Sequence, residues 1–193
     1  MKKLTLVLSL VGLINIAWAA DSIDVQFKGT LTNPTCTATF TGSTGTDLHF
    51  PTIKASDFSS LSNGALVPGS AIPGYIKFST CGGGVSAVTI KFVGTSVSGY
   101  GFQGKSTYFR TAGGEDSRLG LVLFKTSTDT SVENAIYMGD VPAQRFELTS
   151  LVKEGNDYKY NVFGRIALSN SSKNMDNSLG DLTASGVINI GYE

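Results

Sequence analysis

The chain has 193 residues, with 15 Lys and Arg, 15 Asp and Glu, one His, two Cys and 23 Gly. This length suits one domain or at most two small ones, and a hydrophobic fraction of 41% argues against wholesale disorder. A formal net charge of zero gives no electrostatic footprint for nucleic acid and no attraction to anionic lipid. A zinc site would be very hard to assemble from one His and two Cys, and we expect no metal and no cofactor.

The first 19 residues have the pattern of a secretory signal peptide. A Lys pair is followed by a mainly apolar run at residues 4–16, and Ala17 and Ala19 are small residues where a signal peptidase inspects the chain. We therefore expect cleavage before Ala20 and export of the remainder. An N-terminal membrane anchor is the alternative, but the apolar run is shorter than the ~20 residues that span a bilayer.

Beyond residue 20 the chain alternates apolar and polar side chains in many short runs, without a convincing helix pattern. These runs are residues 23–31, 35–40, 75–80, 87–94, 119–125, 145–151, 158–168 and 186–192. Gly, Ser, Thr, Asn and Asp fill the intervening segments, as turns require. Many short strands without intervening helices predict an antiparallel β-sandwich of immunoglobulin-like type, with residues 56–74 and 95–117 as long loops or edge segments.

The two cysteines, Cys36 and Cys81, both lie beyond the predicted cleavage site. An exported chain meets an oxidising compartment, so we expect a disulfide between them. A closed loop of this length would contribute about 4 kcal/mol by the chain-entropy estimate. A redox pair would want a C-x-x-C spacing, and two free buried thiols are the remaining alternative.

One short motif has the letters of a nucleotide-binding loop. Residues 99–106, Gly-Tyr-Gly-Phe-Gln-Gly-Lys-Ser, fit the G-x-x-x-x-G-K-[ST] pattern, which cradles phosphate where a helix begins. The residues that follow cannot sustain a helix, and an exported protein meets little ATP. We interpret the match as chance, in a solvent-exposed loop of a Gly-rich chain.

The other chemically suggestive residues do not form a catalytic set. His49 stands alone without a placed Ser and acid, so we expect a surface residue or one whose hydrogen bonds are satisfied, and Glu115–Asp116 suits a polar turn. Four aromatic residues could form a surface that stacks on a sugar: Tyr100, Phe102, Tyr108 and Phe109. Packing at a sheet edge is the alternative. No nucleophile and base are brought together by any of these patterns, and we expect no enzymatic activity.

Three features converge on one family. An alternating segment follows the cleavage site, Gly180 is fourteenth from the end, and the last strand alternates Gly186, Ile188 and Ile190 before the penultimate Tyr192. Together with the single Cys pair, this pattern resembles the subunits of chaperone–usher fimbriae, the type 1 and P pilus class of Gram-negative bacteria. The residues after the cleavage site are most similar to minor, adaptor-type subunits.

The resemblance implies an incomplete immunoglobulin-like β-sandwich, a pilin fold that lacks its last strand, with one disulfide. Its divisions would be a signal peptide at residues 1–19, a donor-strand extension at 20–31 and a pilin domain at 32–193. Another protein would complete the sheet by β-augmentation. The donor strand would place five residues in a neighbour's groove: Ile23, Val25, Phe27, Gly29 and Leu31.

The resemblance also implies an acceptor edge, which a periplasmic chaperone would fill first. Its residues would be Gly180, Ile188, Ile190, Tyr192 and Glu193, with the C-terminal carboxylate of Glu193 held by basic residues in the cleft of the chaperone. The implied function is that of a structural subunit of an adhesive surface fimbria, assembled through an outer-membrane usher and located outside the cell, with neighbouring subunits as partners. A single-domain carbohydrate-binding tip adhesin and a chain-terminating pilin are the alternatives.

Overall fold

The computed structural model describes residues 35–95 and 101–193, all within the unit Leu31–Glu193. The described chain contains nine strands: β1 Thr37–Thr41, β2 Ile72–Ser79, β3 Ala87–Gly94, β4 Ser106–Arg110, β5 Asp116–Phe124, β6 Gln144–Glu147, β7 Val152–Glu154, β8 Asp157–Leu168 and β9 Gly186–Tyr192. Short 3-10 helices occur at Ala55–Asp57, Val132–Asn134, Leu148–Ser150 and Asp176–Ser178. No helix in these two stretches is long and apolar enough to cross a membrane.

The strands form two antiparallel sheets. The larger sheet has the order β1-β2-β8-β5-β4, and β7 pairs with the beginning of β8. The smaller sheet has the order β6-β3-β9. The all-β class and the antiparallel pairing predicted from the alternating runs are confirmed.

The chain changes sheet between β6 and β7. β6 pairs with β3 in the small sheet, whereas β7 pairs with β8 in the large sheet. The 3-10 turn Leu148–Ser150 makes this crossing, and Leu148 is buried beneath it. The predicted single strand at residues 145–151 is therefore wrong, because β6 ends at Glu147 and the chain turns at Leu148–Ser150.

The main core lies between the two sheets. Alternation along β3 sends Val88, Ile90 and Phe92 inward, and β8 contributes Tyr160 and Val162 to the same buried cluster. The Phe92 and Tyr160 rings lie with centroids 6.3 Å apart. Packing of this kind across two facing sheets is the ordinary core of a β-sandwich.

Cys36 and Cys81 form the predicted disulfide. The bond links the residue before β1 to a residue just beyond β2, so it closes the end of the pair that these two strands form. Cys36 is buried and Cys81 packs against the main cluster. The disulfide therefore holds the short edge strand β1 to the rest of the sheet.

A separate cluster covers the outer face of the large sheet at one end. Val122 and Phe124 point outward from β5, and Phe102 packs on them with its ring 6.1 Å from that of Phe124, edge to face. The expected solvent-exposed loop around residues 99–106 is wrong for Phe102, Lys105 and Ser106, which are all buried. The Phe102 ring explains the difference, because its packing on Val122 and Phe124 holds this segment against the sheet.

Candidate functional site

β9 forms one edge of the small sheet. It pairs with β3 in the register Val88↔Tyr192 through Gly94↔Gly186, and has no second strand partner within the described residues. The backbone groups of Glu193 and Ala87 exchange two hydrogen bonds, at 2.9 and 3.0 Å. Hydrogen-bonded pairs alternate along an antiparallel ladder, so every second amide of β9 points away from β3.

The amides that point to the open side belong to Ile188, Ile190 and Tyr192. Their side chains face the main cluster and pack against it, but all three remain partly exposed. On the opposite face, the Val187 side chain is 59% exposed. Partial burial raises the pKa of the Tyr192 hydroxyl above its ordinary value. Within the part of the chain that the structure describes, the open edge of β9 therefore combines an incompletely covered apolar surface with backbone groups that have no strand partner.

β1 forms the corresponding edge of the large sheet. This five-residue strand pairs with β2 alone within the described chain. Ala38 and Phe40 point inward and pack against the same cluster as the β9 side chains, and both are only partly buried. Thr37 and Thr39, on the other face, are exposed.

The two open edges thus border one hydrophobic cluster from opposite sheets. Unpaired sheet edges present rows of N–H and C=O groups that accept another strand. An extended segment with alternating apolar side chains would find hydrogen-bond partners on such an edge and cover the half-exposed residues below. The far edge of the large sheet differs, because Ser106 to Phe109 of β4 are buried on both faces.

The sequence-predicted acceptor residues do not all lie together. Ile188, Ile190 and Tyr192 share one face of β9, as their spacing predicts. Gly180 is exposed, six residues before β9, in a turn where its φ of +83° favours glycine. The nearby Thr183 exchanges backbone hydrogen bonds with Arg110 of β4, so this turn belongs to the β4 side of the fold.

Glu193 is held by the chain itself. Its carbonyl oxygen accepts from the backbone N–H groups of Ser86 and Ala87 at 2.7 and 3.0 Å. Its side-chain Oε2 accepts from Arg145 Nε at 2.6 Å. These contacts fix Glu193, next to the open edge of β9, against β3 and β6.

The predicted donor strand, from Ile23 to Leu31, and the predicted signal peptide lie outside the described residues. The contribution of Ala38 and Phe40 to the candidate site was not predicted from the sequence. Their alternation with Thr37 and Thr39 was visible as an extended run, but nothing in that run shows that it ends a sheet.

The aromatic residues considered as a sugar-stacking surface do not form one. Phe102, Tyr108 and Phe109 are buried, and Phe109 packs edge to face on Phe50 with centroids 5.9 Å apart. Tyr100 lies outside the described residues. The alternative, packing at a sheet edge, describes the three residues that can be placed.

Lys105, at the lysine position of the nucleotide-binding pattern, forms hydrogen bonds within the chain. Its Nζ donates to the carbonyls of Val132 and Glu133 at 2.8 and 3.0 Å, and lies 4.4 Å from the centroid of the Tyr137 ring. The amine is therefore directed at a neighbouring loop. His49 is exposed, and its backbone N–H donates to Ser43 Oγ at 2.7 Å.

Asp116 organises a polar cluster that the sequence did not reveal. Its two carboxylate oxygens accept from Arg110 Nε at 2.9 Å and from Lys173 Nζ at 3.1 Å. Burial alone would raise the pKa of this carboxyl, but the hydrogen bonds from Lys173 and Arg110 outweigh it and hold the pKa below its ordinary value. The predicted polar turn at Glu115–Asp116 is wrong for Asp116, which is the first residue of β5.

The same cluster fixes the connection between β8 and β9. Arg118 Nε donates to the Lys173 carbonyl at 2.7 Å, and the Arg118 backbone N–H donates to Ser178 Oγ at 2.8 Å. Within the described residues, no group of three or more His, Cys, Asp and Glu side chains is arranged to hold a metal ion. The charged residues here serve to attach one segment to another.

No protein-family model and no curated protein matches this chain. Among solved structures, the P pilus rod subunit PapA is similar, with a TM-score of 0.55 and 14% identity over 89% of this chain and 100% of that one. The chain has a pilin-like fold. At this identity the similarity shows the fold alone. A function for this pilin-like chain is therefore inferred from the open edges of β1 and β9.

Proposed function

We propose that this chain is a structural subunit of a surface fimbria that is completed by a strand from another protein. The observation that carries the proposal is the pair of edges, β1 and β9, that have no second strand partner within residues 35–95 and 101–193 and border one half-exposed hydrophobic cluster. A strand inserted between them would pair with the outward amides of β9 and cover the side chains of Ile188 and Ile190. Each apolar side chain fully buried in this way contributes about 1.5–3 kcal/mol.

The donor of this chain to its neighbour is proposed to be residues 20–31, after removal of residues 1–19. Ile23, Val25 and Phe27 occupy alternate positions, so all three would face the same groove. A periplasmic chaperone would hold the acceptor edge until the exchange, and an outer-membrane usher would pass the subunit to the cell surface. The similarity of fold to a pilus rod subunit supports this role.

The donor assignment is tested by the length of polymers formed in cells that carry the rest of the assembly system. We expect Val25→Asp together with Phe27→Asp to stop donation, because two charges would have to be buried in the neighbour. Gln26→Asp together with Lys28→Asp is the matched control, since these positions alternate with the apolar ones and would face away. Normal polymers from the first variant would show that residues 20–31 are not the donor.

The acceptor edge is tested separately by capture in the periplasm. Tyr192→Asp places a charge on the half-buried face of β9, and we expect the subunit to lose its chaperone and to be degraded. Val187→Asp, on the exposed face of the same strand, should accumulate at the normal level. Equal accumulation of both variants would contradict the role of β9 as the acceptor.

A further inference from the structure

A second opening lies in the middle of the large sheet, away from the β1 and β9 edges. On the side of β8 opposite β2, β7 ends its pairing at Val152↔Lys159 and β5 ends at Phe124↔Phe163. Residues 160–162 of β8 have no strand partner on this side within the described chain. We call the opening beside these three residues the notch.

The backbone of Asn161 faces into the notch. β7 and β8 are joined by the two-residue loop Gly155–Asn156, and the φ of +61° at Gly155 suits the first position of a type II′ turn. In such a hairpin Glu154 and Asp157 form a hydrogen-bonded pair, and alternation then directs the N–H and C=O of Lys159 and Asn161 to the same side. The groups of Asn161 fall between β7 and β5, where neither of these strands continues the ladder and no other described strand pairs with β8 on this side.

The notch opens into a cleft of about 200 Å³. The residues that line this cleft include Lys125, Phe146, Ser150, Val152, Tyr160 and Asn161. The rings of Phe146 and Tyr160 have centroids 4.9 Å apart and give the cleft an aromatic wall. Small-molecule sites commonly occupy 300–1,000 Å³, so this cleft suits a single ring.

The charge at the rim is positive. Lys125 is exposed, and its Nζ lies 5.0 Å from the centroid of the Phe146 ring. Among the described residues, no carboxylate lies within 4 Å of this amine. The second cation, Lys159, differs because its Nζ is 2.5 Å from Glu154 Oε2. The rim therefore offers one cation to an incoming anion.

We propose that the notch binds a hexuronic acid, a sugar ring that carries a carboxylate. The carboxylate would accept from the Asn161 N–H and from Lys125 Nζ, and a neighbouring hydroxyl would donate to the Asn161 C=O. The apolar face of the ring would pack against the aromatic wall. A single ring is favoured over an extended peptide, because β5 and β7 leave room for only one residue pair between them.

The test is an NMR titration of the mature chain, in whatever complex it is obtained from the periplasm, with sodium glucuronate. We expect saturable shifts of the Asn161 and Phe146 amides with a dissociation constant on the order of 1 mM. Glucose, which lacks the carboxylate, should bind about tenfold more weakly. Lys125→Gln should weaken glucuronate binding by about the same factor, whereas Lys153→Gln, an exposed neighbour outside the cleft, should not.

Two results would overturn the proposal without relying on any variant. One is the absence of saturable shifts at the notch with glucuronate at concentrations on the order of 10 mM. The other is equal affinity for glucose and glucuronate. If a blocked acidic tripeptide shifts Asn161 and glucuronate does not, the notch is a peptide site and the uronic acid assignment is wrong.

Discussion

Lys105 shows how one side chain can decide the conformation of a segment. Its stem is buried with Phe102 and Ser106, and its amine reaches two carbonyls of the loop that contains Val132 and Glu133. The hydrogen bonds from a cation are stronger than those between neutral groups. This residue therefore fixes the 3-10 turn at Val132–Asn134 to the start of β4.

We expect Lys105→Met to lower the free energy of unfolding by about 2 kcal/mol, because the stem is kept while two charge-assisted hydrogen bonds are lost. Chemical denaturation of the purified chain or of its complex measures this change. Lys153→Met is the matched control, since Lys153 is exposed on β7. A change for Lys105→Met no larger than for the control would mean that the buried amine contributes nothing to stability.

The segments between strands are attached by charges as well as by apolar contacts. The connection from β8 to β9 contains Lys173 and Ser178, and both are bonded to the β4–β5 hairpin through Asp116 and Arg118. Because β9 begins soon after this connection, the cluster helps to set where the proposed acceptor edge starts. Its strength depends on the ionisation of Asp116.

The Asp116 cluster predicts a pH dependence of stability. Its carboxyl has a pKa below the ordinary value in the folded chain, so the contribution is present above about pH 4 and is lost as the pH falls through the lowered pKa. We expect Asp116→Asn to cost roughly 1 kcal/mol at pH 7, a modest value because Arg110 is partly solvated. Urea unfolding at several pH values measures the difference.

The difference between the natural chain and Asp116→Asn should shrink as the pH falls through the lowered pKa of Asp116, because the protonated carboxyl no longer pairs with the two cations. Asp181→Asn, at an exposed site in the same connection, should have little effect at any pH. A cost for Asp116→Asn that does not decrease at any acid pH at which the chain stays folded would indicate lost packing, and the assignment of this cluster as an ion-pair attachment would be wrong.

Strands with one buried face were predictable, whereas the edge strand β4, which is buried on both faces, was not. β3, β8 and β9 show a period of two because one side of each meets the core. β4 carries buried Ser106 and Thr107 beside buried aromatic residues, so its sequence does not alternate. The residues that bury β4 come from distant parts of the chain, and a local sequence pattern does not indicate them.

The candidate site was predictable on one side only. The alternation of Ile188, Ile190 and Tyr192 indicated one wall, and the resemblance to fimbrial subunits gave it a meaning. The role of β1 depends on its being last in the sheet order, which is set by long-range pairing with β2. The notch beside Asn161 likewise depends on where two separate strands stop pairing with β8.

At the scale of the whole molecule, the two sheets share a core that their own strands leave partly uncovered. The disulfide Cys36–Cys81 and the register of β9 on β3 hold the two open edges in place. Apolar side chains next to unpaired amides favour association with another strand over exposure to water. The central claim is therefore that β9 obtains its second partner from another protein.

The most direct test is hydrogen exchange at five amides of β9, measured on the mature monomer and on the chain within its complex or fibre. The amides of Asn189 and Gly191 face β3 and serve as internal references, whereas those of Ile188, Ile190 and Tyr192 face the open edge. We predict fast exchange at the latter three in the monomer and slow exchange in the assembly. Equal, slow exchange at all five in the monomer would contradict it.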